Sequence, residues 1–162
     1  MIDDEQFLKQ AIELARQART NGNHPFGALL VLDGRVVLTA RNTVITQQNP
    51  TAHAEHNLVG EAIRQFSQDQ IARCVLYTSC EPCAMCVGAM YWAGIRSVVY
   101  GLPAEVLATL AGPDFLIACR DLFCRASNTV QVRGPCSLKR RSTSTTVTGR
   151  HRHASDELSP AQ

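Results

Sequence analysis

The 162-residue chain lacks several features that would assign it to a specialised class of protein. It contains no run of eighteen apolar residues, so we expect no membrane-spanning segment. Its first ten residues, MIDDEQFLKQ, are acidic and polar, which is not the pattern of a secretory signal. Apolar residues make up 45% and charged residues 19%, as in an ordinary globular domain that is long enough to bury a core.

A basic excess is absent from most of the chain. Residues 1–134 contain 11 Lys and Arg against 12 Asp and Glu, whereas residues 135–162 contain 5 against 2. The body therefore lacks the overall basic charge by which many proteins bind nucleic acid. Residues 135–162 also lack aromatic residues and are rich in Ser and Thr, a composition that predicts disorder. We predict one domain at 1–134 and a disordered tail at 135–162.

The chain has an odd number of cysteines, seven in all. Without a secretory signal, this number predicts a reducing compartment, which we take to be the cytoplasm. In such a compartment, cysteines bind metals, react chemically or pack in cores. The seven are Cys74, Cys80, Cys83, Cys86, Cys119, Cys124 and Cys136.

The apolar residues follow both helical and strand periodicities. Helices are predicted at 3–20, 52–66, 83–94, 104–111 and 114–124. Strands are predicted at 26–32, 35–40, 73–79, 97–101 and 129–134. Two apolar runs on either side of Asp33-Gly34 indicate a hairpin, after which strands alternate with helices. This order predicts an α/β protein, a three-layer α/β/α sandwich around a central, mixed five-stranded sheet with a mostly parallel core.

The stretch TSCEPCAMC, residues 78–86, contains the pair Cys83-x-x-Cys86. On a helix, residues three apart lie on the same face, so the two sulfurs can grip one ion. Both lie in the predicted first turn, where the helix dipole favours thiolates. Taken alone, the pair is also typical of a structural zinc site or of two core residues. A redox pair is a further alternative, which the proline before the first cysteine does not support.

His53 is the predicted third ligand, because it lies at the start of another predicted helix. Two helices that enter the same edge of a sheet place their N-termini side by side. One imidazole and two thiolates suit zinc. Three protein ligands leave the fourth position open, as in catalytic sites, so we predict one Zn²⁺ per chain.

Glu55 follows His53 by two residues and is too close to it to bind the same ion easily. Its predicted role is to move a proton during catalysis. The pattern His-x-Glu followed by Pro-Cys-x-x-Cys is the signature of zinc deaminases that act on nucleobases. The complete pattern therefore favours a catalytic zinc site over the alternatives for each part alone.

Residues 22–134 resemble the cytidine-deaminase-like superfamily. The resemblance rests on the metal motifs and on HPFGALLV (24–31), NPTAHAE (49–55) and LYTSCEPCAMCVGAMYWAGI (76–95). These stretches are similar to the small bacterial guanine deaminases and to the nucleoside deaminases grouped with them. The bacterial tRNA adenosine deaminases and fungal cytosine deaminase share the metal motifs but resemble the chain less elsewhere.

The resemblance implies a role for each motif residue. His53, Cys83 and Cys86 match the zinc ligands, and Glu55 matches the proton shuttle. Four further residues match substrate-binding positions: Phe26, Asn42, Ala54 and Asp114.

Three of these implied substrate contacts have a stated chemistry. Phe26 matches an aromatic ring that stacks on the base, Asn42 an amide that hydrogen-bonds the base, and Asp114 a carboxylate directed at the purine edge. Each also has an ordinary structural alternative: Phe26 as a core residue, Asn42 as a turn former and Asp114 as a helix cap. Trp92 is predicted to pack within the protein.

The resemblance also implies a homodimer, and guanine deaminases of this type exchange their C-terminal segments. Their last helix carries aromatic residues that help to close the pocket. Residues 136–162 contain no aromatic residue, so the tail departs from this pattern.

These observations predict a zinc-dependent hydrolytic deaminase of a small nucleobase or nucleoside, with conversion of guanine to xanthine and ammonia as the leading reaction. The alternatives are a tRNA adenosine deaminase, which the charge of the body does not favour, and a cytosine or cytidine deaminase. A further alternative is a non-catalytic zinc fold that serves as a binding partner. We expect no membrane association.

Overall fold

The computed structural model describes residues 4–112 and 117–135, together with the backbone of 144–147. The helices are α1 (Asp4–Thr20), α2 (Ala54–Gln65), α3 (Gln68–Arg73), α4 (Ala84–Ala93), α5 (Ala104–Ala111) and α6 (Cys119–Phe123). The strands are β1 (Gly27–Leu32), β2 (Arg35–Arg41), β3 (Val75–Cys80), β4 (Ser97–Leu102), β5 (Val130–Arg133) and β6 (Ser144–Val147). Among the described helices, none is both long enough and apolar enough to cross a bilayer.

The strands form one mixed sheet in the order β2-β1-β3-β4-β5-β6. Strand β1 runs antiparallel to both β2 and β3, whereas β3, β4 and β5 run parallel to one another. Strands β2, β3, β4 and β5 therefore all point in the same direction. The helices that follow β2 and β3 consequently begin at the same edge of the sheet.

Helices cover both faces of the sheet. On one face, α1 packs Phe7, Leu8 and Ala11 against residues of β1, β3 and β4. On the other face, α2, α3, α4 and α6 bury a larger apolar cluster against β1, β3, β4 and β5. The predicted three-layer α/β/α sandwich is confirmed, and all five predicted strands are present.

Two helices differ from the sequence prediction. Helix α3 was not predicted, because six residues are too few to show a helical period. Its signal is local instead: Ser67 and Gln70 form a capping box that satisfies the first N–H groups. The helix predicted at 114–124 is present as Cys119–Phe123, and residues 113–116 lie outside the described part.

The predicted disorder of the tail is wrong at residues 144–147. These residues form β6, which pairs antiparallel with β5 from Val130↔Val147 to Arg133↔Ser144. Thr145, Thr146 and Val147 are β-branched and favour strands, and β5 would otherwise leave an edge of unpaired backbone groups. The other residues beyond 135 lie outside the described part.

Trp92 was predicted to pack, but its side chain is 83% exposed. It lies on α4, a helix without a charged residue. Met90 on the opposite side of the helix is fully buried. An apolar helix usually has its whole circumference covered, so the exposed side of α4 is unusual.

Gly27 sets the distance between α1 and β1. A Cβ atom at this position would lie 2.5 Å from the Ala11 carbonyl oxygen and from Leu14 Cβ, and 2.6 Å from the Ala15 nitrogen. Two of these atoms belong to the α1 backbone, which cannot yield without moving the helix. The close approach of α1 to the sheet therefore requires glycine.

We predict that Gly27→Ala lowers the free energy of unfolding by about 2 to 3 kcal/mol, because the added methyl group overpacks this contact. Gly60→Ala is the matched control, since a Cβ atom on that α2 glycine meets nothing within 4 Å. The control is expected to be neutral or to stabilise by about 0.5 to 1 kcal/mol through helix propensity. Urea unfolding of both variants measures the difference, and equal stabilities would contradict the packing argument.

Candidate metal centre

The site forms where two helices begin side by side. His53 is the N-cap of α2 and Cys83 is the N-cap of α4, and both have extended backbone dihedral angles. Neither side chain makes the capping hydrogen bond that usually satisfies the first turn of a helix. Cys86 lies three residues after Cys83, within the first turn of α4. The side chains that begin these helices are therefore directed into a common site.

The structure brings the three predicted ligands together. His53 Nδ1 lies 3.6 Å from Cys83 Sγ and 3.8 Å from Cys86 Sγ. All three potential ligand atoms lie within 4.8 Å of one another. His53 and Cys83 are half-buried and Cys86 is buried. The cluster is therefore largely shielded from bulk solvent, but a metal ion can still reach it.

This spacing fits a zinc ion. Zinc bonds of about 2.0 Å to nitrogen and about 2.3 Å to sulfur at a tetrahedral angle imply a nitrogen–sulfur separation of about 3.5 Å. The two observed separations are 3.6 and 3.8 Å. An imidazole with two thiolates is also a donor set that zinc prefers. The residues present therefore fit the metal, and the prediction of zinc as the cofactor is confirmed by this geometry and by the family assignment below.

The protonation of the two sulfurs favours metal binding. A hydrogen bond from the Cys86 thiol, assisted by His53, lowers the pKa of Cys83 to about 4. The same hydrogen bond, together with burial, raises the pKa of Cys86. One thiolate is therefore present at neutral pH. The second thiolate forms when a cation replaces the shared proton.

Glu55 lies beside the ligand cluster on the first turn of α2 and is 5% exposed. Burial raises the pKa of its carboxyl group, although a hydrogen bond from Thr78 and one from its own backbone N–H act in the opposite direction. Its Oε2 atom lies 3.8 Å from Cys86 Sγ. A buried carboxyl group with a raised pKa holds a proton more readily than an exposed one, which suits a group that takes up and returns protons in acid–base catalysis.

Phe26 and Asn42 are adjacent at the same end of the sheet, because the Asn42 backbone N–H donates to the Phe26 carbonyl at 3.0 Å. The Asn42 side-chain oxygen accepts from the Val44 N–H at 3.1 Å, so this residue does form a turn. Its side-chain amide nitrogen donates to none of the residues that the structure describes. The turn thus uses one end of the amide and leaves the other end available as a donor. Phe26 is half-buried against the larger apolar cluster, which α2, α3, α4 and α6 form with the sheet; we call this cluster the helix-side core.

The other two predicted substrate contacts have different outcomes. The side chain of Ala54 is completely buried in the core, so only its backbone could contact a substrate. Asp114 lies outside the described residues.

Sequence reasoning missed two side chains that organise the site. Thr78 donates to Glu55 Oε1 at 2.5 Å. Glu81 accepts from the Ala104 N–H at 3.1 Å and from the Cys119 N–H at 2.8 Å, and so joins the starts of α5 and α6. Both residues lie within TSCEPCAMC, but their partners are distant in sequence. Side chains alternate between the two faces of β3, so Thr78 lies on the same face as Leu76, the face that α2 and α4 cover. This alternation could have placed Thr78 near the site.

Comparison with known proteins agrees with this geometry. The sequence profile of the cytidine and deoxycytidylate deaminase zinc-binding region matches residues 1–102. The chain is 39% identical over 134 residues to a protein of Schizosaccharomyces pombe named "Probable cytosine deaminase", covering 80% of this chain and 82% of that protein. The alignment extends well beyond the metal motifs. Similarity outside those motifs is therefore not specific to the guanine deaminases, contrary to the expectation from the sequence.

Two relatives from Bacillus subtilis match shorter regions. A guanine deaminase is 44% identical over 100 residues, covering 61% of this chain and 64% of that protein. Its crystal structure superposes with a TM-score of 0.64 at 41% identity, covering 69% of this chain and 72% of that one. A tRNA-specific adenosine deaminase is 37% identical over 101 residues, covering 62% of this chain and 63% of that protein. The alignments with these two sequences thus span just under two thirds of each relative.

Three lines of observation therefore converge: the profile match, the superposition and a ligand cluster with the spacing that zinc requires. The chain belongs to the cytidine and deoxycytidylate deaminase family of zinc-dependent hydrolytic deaminases.

Proposed function

We propose that this deaminase converts guanine to xanthine and ammonia, with one zinc ion held by His53, Cys83 and Cys86. The observation that carries the reaction type is the buried Glu55 carboxyl group beside the ligand cluster, with Oε2 at 3.8 Å from Cys86 Sγ. A purely structural metal ion would have no need for a buried carboxyl group with a raised pKa at its edge.

In the proposed mechanism, Glu55 moves the protons. The ion, when bound, supplies the Lewis-acid chemistry that makes hydroxide available from water near neutral pH. Glu55 Oε2 takes the proton of the attacking water and passes it to the ring nitrogen beside the amino-bearing carbon. It then carries the remaining hydroxyl proton to the leaving amine, which departs as ammonia. The burial of Glu55 keeps bulk water from competing for these protons.

The base would be held by residues at the same end of the sheet. The free amide nitrogen of Asn42 can donate to an acceptor on the base, and the Phe26 ring can stack on the base. Ala54 can contribute only backbone contacts. Asp114 is the proposed acceptor for the N–H groups on the edge of guanine, a pattern that cytosine lacks.

Guanine is favoured by Asp114 and by the 44% identity with the bacillary guanine deaminase. Cytosine is the second candidate, because the relative named as a cytosine deaminase aligns over 134 residues. A tRNA substrate is less consistent with the charge of residues 1–134, where acidic residues outnumber basic ones by one.

We further propose that two chains form a homodimer through α4. Met85, Ala89 and Trp92 are spaced along one helical face, and all three are at least partly exposed. Ile63 of the neighbouring helix α2 is a further exposed apolar residue, 54% accessible. A second copy would remove these side chains from water.

The cytoplasm is the proposed compartment, because none of the six described cysteines forms a disulfide.

The metal assignment predicts one zinc per purified chain and loss of most of that zinc in Cys83→Ser, because a hydroxyl group is a poor replacement for a thiolate ligand. Cys124→Ser is the control, since Cys124 is exposed and outside the cluster. Elemental analysis after dialysis measures the metal content. Stoichiometric zinc in the Cys83 variant would remove Cys83 from the ligand set.

The reaction is tested by ammonia release from guanine, cytosine, cytidine, adenosine and a tRNA anticodon hairpin. We expect guanine to react fastest, and Glu55→Gln to keep its zinc while kcat falls by about 10²- to 10⁴-fold. Glu61→Gln is the control, because it makes the same change on an exposed carboxylate of the same helix. Near-normal turnover by zinc-loaded Glu55→Gln would exclude the proton-transfer role.

The same assay decides the substrate. Asp114→Ala should reduce kcat/KM for guanine far more than for the other bases. Equal losses on every base would rule out a specific contact with guanine. Faster turnover of cytosine than of guanine by the wild type would replace guanine as the proposed substrate.

The dimer proposal predicts that Trp92→Glu yields monomers by light scattering, whereas the same change at exposed Leu110 of α5 leaves dimers intact. Trp92 is the single tryptophan of the chain, so its fluorescence reports on this surface directly. Its emission should shift to shorter wavelength as protein concentration rises through the dimerisation range. A concentration-independent, solvent-exposed emission spectrum would contradict the proposed interface.

A further inference from the structure

Thr78 is a buried polar residue in the layer between the sheet and the metal-binding helices. It lies on β3, is completely buried, and shares its face with Leu76 of the helix-side core. Its hydroxyl group lies 2.5 Å from Glu55 Oε1 and 3.0 Å from the Cys80 carbonyl oxygen. The hydroxyl has one hydrogen and can donate to one of these acceptors at a time, and the shorter separation favours Glu55.

This hydrogen bond makes the two oxygens of the Glu55 carboxyl group unequal. Oε1 is bound to Thr78, while Oε2 lies 3.8 Å from Cys86 Sγ, on the side of the ligand cluster. The terminal torsion of a glutamate is broad and roughly two-fold, so little else in the side chain fixes the plane of the carboxyl group. Thr78 supplies that constraint from a strand of the sheet.

We propose that Thr78 is a positioning residue for the deamination: its hydroxyl holds Glu55 Oε1 so that Oε2 stays directed at the metal site, where protons are exchanged. This inference rests on the proposed role of Glu55. Thr78 lies outside the motif that contains the metal ligands and the proton carrier. It nevertheless sets the orientation of the Glu55 carboxyl group, which moves the protons. Errors of about 1 Å in the position of a catalytic group can cost about 10²-fold in rate, so loss of the hydroxyl should affect turnover.

Two substitutions separate the hydroxyl from the packing of the side chain. Thr78→Val keeps the shape and removes the hydroxyl, whereas Thr78→Ser keeps the hydroxyl and removes a methyl group. We expect Thr78→Val to keep its zinc and its KM while kcat falls by about 10- to 100-fold. Thr78→Ser should recover most of the lost turnover. Wild-type kcat in the Val variant, or equal impairment of the Ser variant, would overturn the proposal.

A double-mutant comparison distinguishes positioning from a general structural effect. If Thr78 acts through Glu55, Thr78→Val should have little further effect on the residual rate of Glu55→Gln. An equal fold-loss in both backgrounds would show that Thr78 acts independently of the carboxyl group and would overturn the proposal.

Crystal structures of the zinc-loaded wild type and Thr78→Val provide a readout that needs no substrate. We expect Oε2 to keep its position beside Cys86 Sγ in the wild type and to rotate away in the variant. An unchanged carboxyl group would overturn the positioning role. If the wild type releases ammonia from none of the tested bases, the proposed function fails, and this structural comparison still decides the role of Thr78.

Discussion

The site depends on one constraint of the sheet: β2 and β3 point the same way, so the helices that follow them begin at the same edge. Strand β1 lies between them, and α2 and α4 pack side by side across it. Their first residues, His53 and Cys83, therefore meet although they are thirty positions apart in sequence. The antiparallel hairpin of β1 and β2 is essential to this arrangement, because a reversed β2 would send α2 to the opposite edge.

The same helix ends give up ordinary stabilisation for function. N-caps are usually Ser, Thr, Asp or Asn, and loss of such a cap costs about 1 kcal/mol. Here the two N-cap positions carry His53 and Cys83, and neither makes a capping hydrogen bond. Glu55 adds a carboxyl group that burial disfavours in its charged form. Without metal, the site is thus locally unfavourable, and metal binding contributes directly to the stability of the folded domain.

Much of the fold and the core of the site could be predicted from the sequence, because their signals are local. The spacings of His53 to Glu55 and of Cys83 to Cys86 lie within single turns of helix, and the strands are short apolar runs. The predictions failed where distant residues decide the outcome. Strand β6 pairs with the free edge of β5. The amino-acid composition of the tail does not indicate that such an edge is available for pairing. The exposure of Trp92 likewise depends on what covers α4, which its apolar sequence does not specify.

The substrate is harder to infer than the reaction, for a chemical reason. Attack of an activated water on an amino-bearing ring carbon needs the same ligands and the same proton carrier whether the ring is a cytosine or a purine. His53, Cys83, Cys86 and Glu55 are therefore uninformative about the base. Relatives named for three different substrates are accordingly similar to the chain at comparable identities, between 37 and 44%.

Discrimination between bases must come from groups that contact the edge of the ring, and Asp114 is the residue proposed for that contact. It lies in the chain between Ala104 and Cys119, the two residues whose N–H groups donate to Glu81. Glu81 immediately precedes Pro82, and the ligand Cys83 comes next. A single carboxylate thus ties the starts of α5 and α6, the described residues on either side of Asp114 in the chain, to the metal-binding motif.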